Sequence, residues 1–209
     1  VLTVDPGLLG INGAELARES ITRLETRDLQ ASVGFASRGS LLPTRLAEGL
    51  PVIALNIEQV NVEFFRIKPE SLPAFLSRWG RSSNLENWEA SNLLPMAELV
   101  YEGRFELNPA PNTRETLLLP IAGLQPLQQP GVYLAVMRAA GSHNYSQPAT
   151  LFSLSDIGLS AHRYRNQLDV FTQALDGGAA QADIALEVLD NKGQRLASGS
   201  TDSKGHAQL

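Results

Sequence analysis

The sequence predicts an all-β chain, antiparallel sandwiches in tandem with one small helical insert. Three observations carry this. Apolar residues alternate with polar ones over short runs along most of the chain, as where Ile184, Leu186 and Val188 interleave with Ala185, Glu187 and Leu189, the period of a strand with one face on a core. Turn signals punctuate those runs: Asp190-Asn191-Lys192-Gly193 and Asp202-Ser203-Lys204-Gly205 suit hairpins, because Asn and Gly tolerate the left-handed conformation such turns need. Helical spacing is confined to residues 71–94.

In chain order, residues 2–4 make a short strand ended by Asp5-Pro6-Gly7, a turn triplet. Gly10-Ile11-Asn12-Gly13 is a second turn, and residues 20–28 form a closing strand with Ile21 and Leu24 facing inward. Residues 1–28 hold too few apolar side chains to build a core alone. They read as the C-terminal part of a preceding domain.

Residues 29–156 read as one complete domain. It starts with a strand over 33–36 and a loop at 37–40. Strands over 51–57 and 60–67 follow, joined at Glu58-Gln59. In the second, Val60, Val62 and Phe64 face in and Asn61, Glu63 and Phe65 face away; Phe65 interrupts the polar side, so that side is also partly covered. Ser71 opens a helix to Trp79, with Pro73 tolerable in its first turn and Leu72, Phe75, Leu76 and Trp79 on one face. Residues 84–94 predict a second helix, stopped by Pro95. This insert is expected to cover a sheet edge or to touch a neighbouring domain. Strands return over 98–107, 113–119, 131–138 and 149–154. The phrase from Leu127 to Tyr133 (LQQPGVY) has the layout of the tyrosine corner of immunoglobulin-like sandwiches, with Ala135 where antibody domains carry a cysteine.

Residues 157–209 continue without a flexible linker as strand, strand, loop, strand, turn, strand, turn and a further strand. They read as the N-terminal part of a following domain. The chain opens without Met or a signal peptide and stops inside a strand, as expected of a piece of a longer polypeptide.

Composition narrows the function. With 43% hydrophobic and 19% charged residues in 209, this is an ordinary globular composition. A net charge of −5 with scattered Lys and Arg argues against a nucleic-acid partner. No apolar run approaches the ~20 residues of a membrane helix. The absence of cysteine removes disulfides, thiolate metal sites and thiol nucleophiles.

No catalytic constellation emerges. Residues 34–40 (GFASRGS) have the outer spacing of a phosphate loop but lack its Lys and a following helix. His143, His162 and His206 sit in separate segments, none at metal-ligand spacing or with a convincing carboxylate partner. The two Asp-x-Lys-Gly turns offer too few oxygens for calcium. No Gly-x-Ser-x-Gly elbow occurs. Glu86, Glu89 and Arg81 read as a solvated face. No enzyme, metal or cofactor is expected. The candidate interaction surface is the helical insert, through Trp79 and Trp88; the alternative is that both rings pack onto their own sheet.

Long ordered phrases carry a resemblance. Residues 29–76, 131–171 and 189–209 (the last reading LDNKGQRLASGSTDSKGHAQL) resemble the N-terminal macroglobulin-type domains of bacterial alpha-2-macroglobulins, large periplasmic protease inhibitors. The resemblance covers nearly the whole chain. It implies tandem immunoglobulin/fibronectin-like macroglobulin sandwiches: part of one at 1–28, a complete one at 29–156 with its insert at 71–94, and part of another at 157–209. It also implies a parent that traps proteases after cleavage of a bait segment, in many members with a thioester from a Cys-x-Glu-Gln motif. With no cysteine, this chain holds no such motif and reads as scaffold. The implied partners are neighbouring macroglobulin-like domains, target proteases at the level of the whole protein, and penicillin-binding protein 1c. The implied location is periplasmic, anchored through a lipoprotein N-terminus upstream. The competing reading is a β-sandwich adhesin or cell-surface stalk. A module of a secreted glycoside hydrolase is a third, disfavoured by only 6% aromatic residues.

Overall fold

Alternation decides which way each strand faces, and in the computed structural model it does so on both sides of one sheet. The structure describes residues 1–24, 27–37, 40–43, 49–80, 82–86, 89, 92–142 and 146–209. The chain divides into two compact units, Val1–Gln30 and Ala31–Leu209.

In the first unit, β1 (Leu2–Val4) and β2 (Ser20–Thr22) pair antiparallel, Leu2 opposite Thr22. Gly7, at φ 95°, turns the chain and donates its N–H to the Leu16 carbonyl, a conformation glycine adopts without a steric penalty. Ile21 and Leu24 were expected to face inward. They are 63% and 60% exposed, because the described part of residues 1–30 supplies no second layer for them to face.

The second unit begins with a sandwich. One sheet runs β3 (Ser32–Phe35), β5 (Gly49–Leu55), β9 (Glu115–Pro120). The other runs β4 (Ser40–Leu42), β11 (Ser146–Leu154), β10 (Gly131–Ala139), β6 (Gln59–Ile67), β8 (Ala97–Glu106), with β7 (Asn84–Glu86) also on β11. Val60, Val62 and Phe64 of β6 and Tyr133, Ala135 and Met137 of β10 meet Leu50, Val52, Ala54 and Leu119 of the facing sheet. Fully burying each large side chain contributes roughly 1.5–3 kcal/mol.

The opposite face of the larger sheet is also buried, over half its length. Phe65 and Ile67 of β6, Leu134 and Val136 of β10 and Ala149 of β11 pack under Phe75 and Trp79 of α1 (Leu72–Trp79). The odd apolar residue at Phe65 marks this cover. Beyond it the same face turns polar: Arg138 pairs with Glu63 at 2.8 Å, Arg104 donates to Asn61 at 3.0 Å and Gln59 to Glu106 at 2.8 Å. A bulge in β8 accommodates both regimes. Phe64 pairs with Tyr101 but Phe65 with Leu99, so the extra residue switches parity. Tyr101 and Phe105 then join the inner core while Ala97 joins the covered outer face.

Two expectations are corrected here. Residues 84–94 are not one helix: Asn84–Glu86 pair with Ser146–Pro148, because the edge of β11 offers backbone partners that a three-residue helical start lacks. Glu89, Asn92 and Leu93 are helical. Residue Ser40 belongs to strand β4, parallel to β11, rather than to a loop. The insert therefore covers the β11 edge through β7 and the sheet face through α1.

The rest of the unit is a second, smaller assembly. β12 (Ile157–Arg163), β13 (Leu168–Ala174) and β16 (His206–Gln208) form one sheet, and β14 (Ala185–Leu189) pairs with β15 (Arg195–Ser200). Val170, Leu186 and Ala207 form its buried cluster, with Leu168, Ile184 and Leu209 against it. Two buried hydroxyls secure it. Those of Thr172 and Thr201, each 2% exposed, both donate to the Gln181 carbonyl at 2.8 Å.

Candidate functional site

Trp79, singled out as an interaction surface, is only 4% exposed. Helical spacing puts it one turn beyond Phe75, ring centroids 5.2 Å apart. Its indole N–H donates to Glu89 Oε1 at 3.0 Å, and Glu89 Oε2 accepts the Glu86 N–H at 3.0 Å. The Arg78 guanidinium lies 4.5 Å over the ring, a cation–π contact. The ring is thus a core element with its one polar atom satisfied, and a partner finds no open face on it. Trp88 and Arg81 lie outside the described residues. Glu89, read as solvated, is instead half-buried and ties α1 to the end of β7. Leu76, expected on the buried face of α1, is 46% exposed; the helix rests on the sheet along Phe75 and Trp79, which leaves Leu76 at the margin.

Tyr133 occupies the predicted corner. It is fully buried, stacks on Phe152 at 5.4 Å, and donates its hydroxyl to the Gln129 carbonyl at 2.8 Å. Arg66 holds the same loop, donating to Gln129 Oε1 at 2.6 Å and to the Pro130 carbonyl at 2.9 Å. Burial pushes the phenol upward, opposed by the Arg66 charge. A neutral, hydrogen-bonded phenol is a structural pin.

The two Asp-x-Lys-Gly turns spend their carboxylates on backbone. Asp190 Oδ1 accepts the N–H groups of Lys192 and Gln194 at 2.8 and 2.7 Å. Asp202 Oδ1 accepts those of Lys204 and His206 at 2.8 and 3.0 Å. These bonds hold the Asp202 carboxyl below its ordinary range. Among residues 34–40, Gly34 and Phe35 lie in β3, and Arg38 and Gly39 lie outside the described residues, as does His143.

One pairing escaped the sequence. His206 Nε2 lies 2.8 Å from Asp169 Oδ1, although 37 positions separate them. The β13–β16 register puts Phe171 opposite His206, leaving Asp169 on the diagonal of the same face. Phe171 tilts against His206 at 4.7 Å and meets His162 edge-on at 5.9 Å. The hydrogen bonds from His206 and Gln167 hold the Asp169 carboxyl below its ordinary range. Only the register carries this contact, so no local signal in the sequence announces it. Among the described residues no cluster of three or more His, Cys, Asp or Glu suits a metal ion.

Comparison with known proteins agrees along the entire chain. The family model for the bacterial alpha-2 macroglobulin MG2 domain matches residues 34–152, and that for the bacterial alpha-2-macroglobulin MG3 domain matches residues 154–209. Alpha-2-macroglobulin of Escherichia coli strain K12 is 57% identical over 209 residues, all of this chain, which spans only 13% of that relative's length. A crystal structure of native E. coli alpha-2-macroglobulin spanning domains MG0-NIE-MG1 superposes with a TM-score of 0.77 at 56% identity, covering 99% of this chain and 66% of that one. The crystal structure of trypsin activated E. coli alpha-2-macroglobulin gives 0.75 at 61% identity, over 85% of this chain and 12% of that one. Sandwich architecture, tyrosine corner and these matches lead to one conclusion: the chain belongs to the bacterial alpha-2-macroglobulin family.

Proposed function

We propose that this chain is an N-terminal scaffold segment of a periplasmic inhibitor that traps attacking endopeptidases. What carries the reading is likeness to E. coli alpha-2-macroglobulin over every residue of the chain. A form of that relative described as trypsin activated supports proteases as the molecules the parent meets. The polar groups described above serve turns, strand pairing and the corner, which supports a scaffold role for this segment. A sandwich acts only through sites grafted onto it.

In this reading residues 1–28 close one macroglobulin-like domain, 29–156 form a second and 157–209 open a third. The separate apolar clusters of the second unit support the boundary near residue 156. The parent is held at the inner membrane by a lipid anchor upstream of this segment and works beside penicillin-binding protein 1c. Fractionation of the cell envelope and co-purification with that synthase check both statements.

The function is tested by incubating the 209-residue chain and the full-length parent with several endopeptidases, following peptide and whole-protein substrates. The parent should lower cleavage of whole proteins, and the chain alone should leave both substrates unchanged. Stoichiometric loss with the chain alone overturns the scaffold assignment. No loss with the parent overturns the inhibitor assignment.

A further inference from the structure

β11 ends at Leu154 and β12 begins at Ile157, so Ser155 and Asp156 are the only chain between the sandwich and the assembly that follows. Each is fastened to a different side. Ser155 donates its N–H to the Leu42 carbonyl of the sandwich at 3.1 Å, whereas the Asp156 carbonyl accepts the Leu175 N–H of the following assembly at 2.9 Å. The Ser155 hydroxyl closes the step, accepting the Ile157 N–H and donating to the Ile157 carbonyl, both at 3.0 Å. A link this short and this well paired is no free tether. It confines relative motion to a few dihedrals, the property of a hinge.

Away from this link the two parts face each other again. The β14–β15 hairpin stands across a groove of about 550 Å³ from the start of the helical insert, lined by Pro69, Glu70 and Pro73 on one side and Glu187, Leu189, Gly193 and Arg195 on the other. At the turn, a Cβ on Gly193 would sit 3.8 Å from Pro73 Cγ. Both rims are stiff. The prolines fix their own φ, and Asp190 Oδ1 closes the hairpin turn, with an exposed Arg195–Glu187 pair at 3.2 Å across the strands behind it. Among the described residues, the buried clusters on the two sides share no member. Stiff rims around an open groove, without a common core, allow the space to widen while both folds stay intact.

We propose that the first turn of the helical insert is a seat for the β14–β15 hairpin, and that Ser155–Asp156 is the hinge about which the following module lifts from it. The insert then has a second task besides covering its own sheet: it sets the angle between successive modules. This holds whether or not the parent inhibits proteases.

The chain's lack of cysteine makes the test direct. Nitroxide labels on the exposed pair Glu70→Cys and Lys192→Cys report the width of the groove by pulsed dipolar spectroscopy. A wedge, Leu189→Trp, fills it from the hairpin side. The expected result is one dominant short distance, displaced to longer values by the wedge. A broad distribution that the wedge leaves alone removes the seat; a narrow one that the wedge does not move removes the hinge. A control pair within the following module, Lys192→Cys and Gln208→Cys, must keep its distance. Should Leu189→Trp disturb that control, Pro73→Trp fills the groove from the insert, where the control pair is untouched, and the same two results decide.

Discussion

At Tyr133 one hydroxyl does what a whole loop needs. It reaches the Gln129 carbonyl at 2.8 Å from a fully buried ring, and that carbonyl loses its partner from the core if the donor goes. Tyr133→Phe should therefore cost about 1–3 kcal/mol, read as a lower urea midpoint with unchanged slope. An unchanged midpoint would show that water replaces the phenol. This corner was legible in the sequence because Gly-x-Tyr at a strand entry is a local pattern. For Trp79 the sequence leaves surface and packed readings open, because its partner Glu89 and the underlying Leu134 and Val136 come from distant or irregular segments.

Elements show where periodicity stops being informative. Spacing alone put Phe75 and Leu76 of α1 on one buried face, but the sheet takes only Phe75, fully buried, and leaves Leu76 46% exposed. Phe75→Ala should then destabilise the sandwich by about 3–5 kcal/mol, and Leu76→Ala should stay within about 0.5 kcal/mol; equal losses would restore the wider face. β13 and β16 carry a pH dependence. The Asp169 and Asp202 carboxyls are held below their ordinary 3.8 by hydrogen bonds present only in the fold. Their stabilising contribution is complete above that value and is lost as pH falls through the lower folded values. Unfolding of residues 157–209 should thus ease below about pH 4, and Asp169→Asn should flatten that dependence. A profile unaltered by the substitution would count against the pairing with His206.

For the whole molecule, the question is whether its apolar clusters stand or fall together. Gly205 offers a selective probe. At φ 72° it sits where an added Cβ would come 2.4 Å from the Thr172 carbonyl oxygen. Gly205→Ala combines left-handed strain of about 1–2 kcal/mol with that overlap. Amide exchange in β13 and β16 should quicken while β6 and β10 keep their protection. Loss of protection in all four would show a single cooperative core across residues 31–209.

From the sequence alone came the fold class, most strand positions, both Asp-anchored turns, the covered side of β6 and the family. Those signals are local: a period of two, a turn chemistry, a long ordered phrase. Tertiary structure alone decided that residues 84–86 pair with β11, that a bulge in β8 serves two cores, and that His206 meets Asp169. Each of these depends on which strand lies beside which and in what register. That choice is made by burial summed over the sheet, which no short stretch of residues encodes.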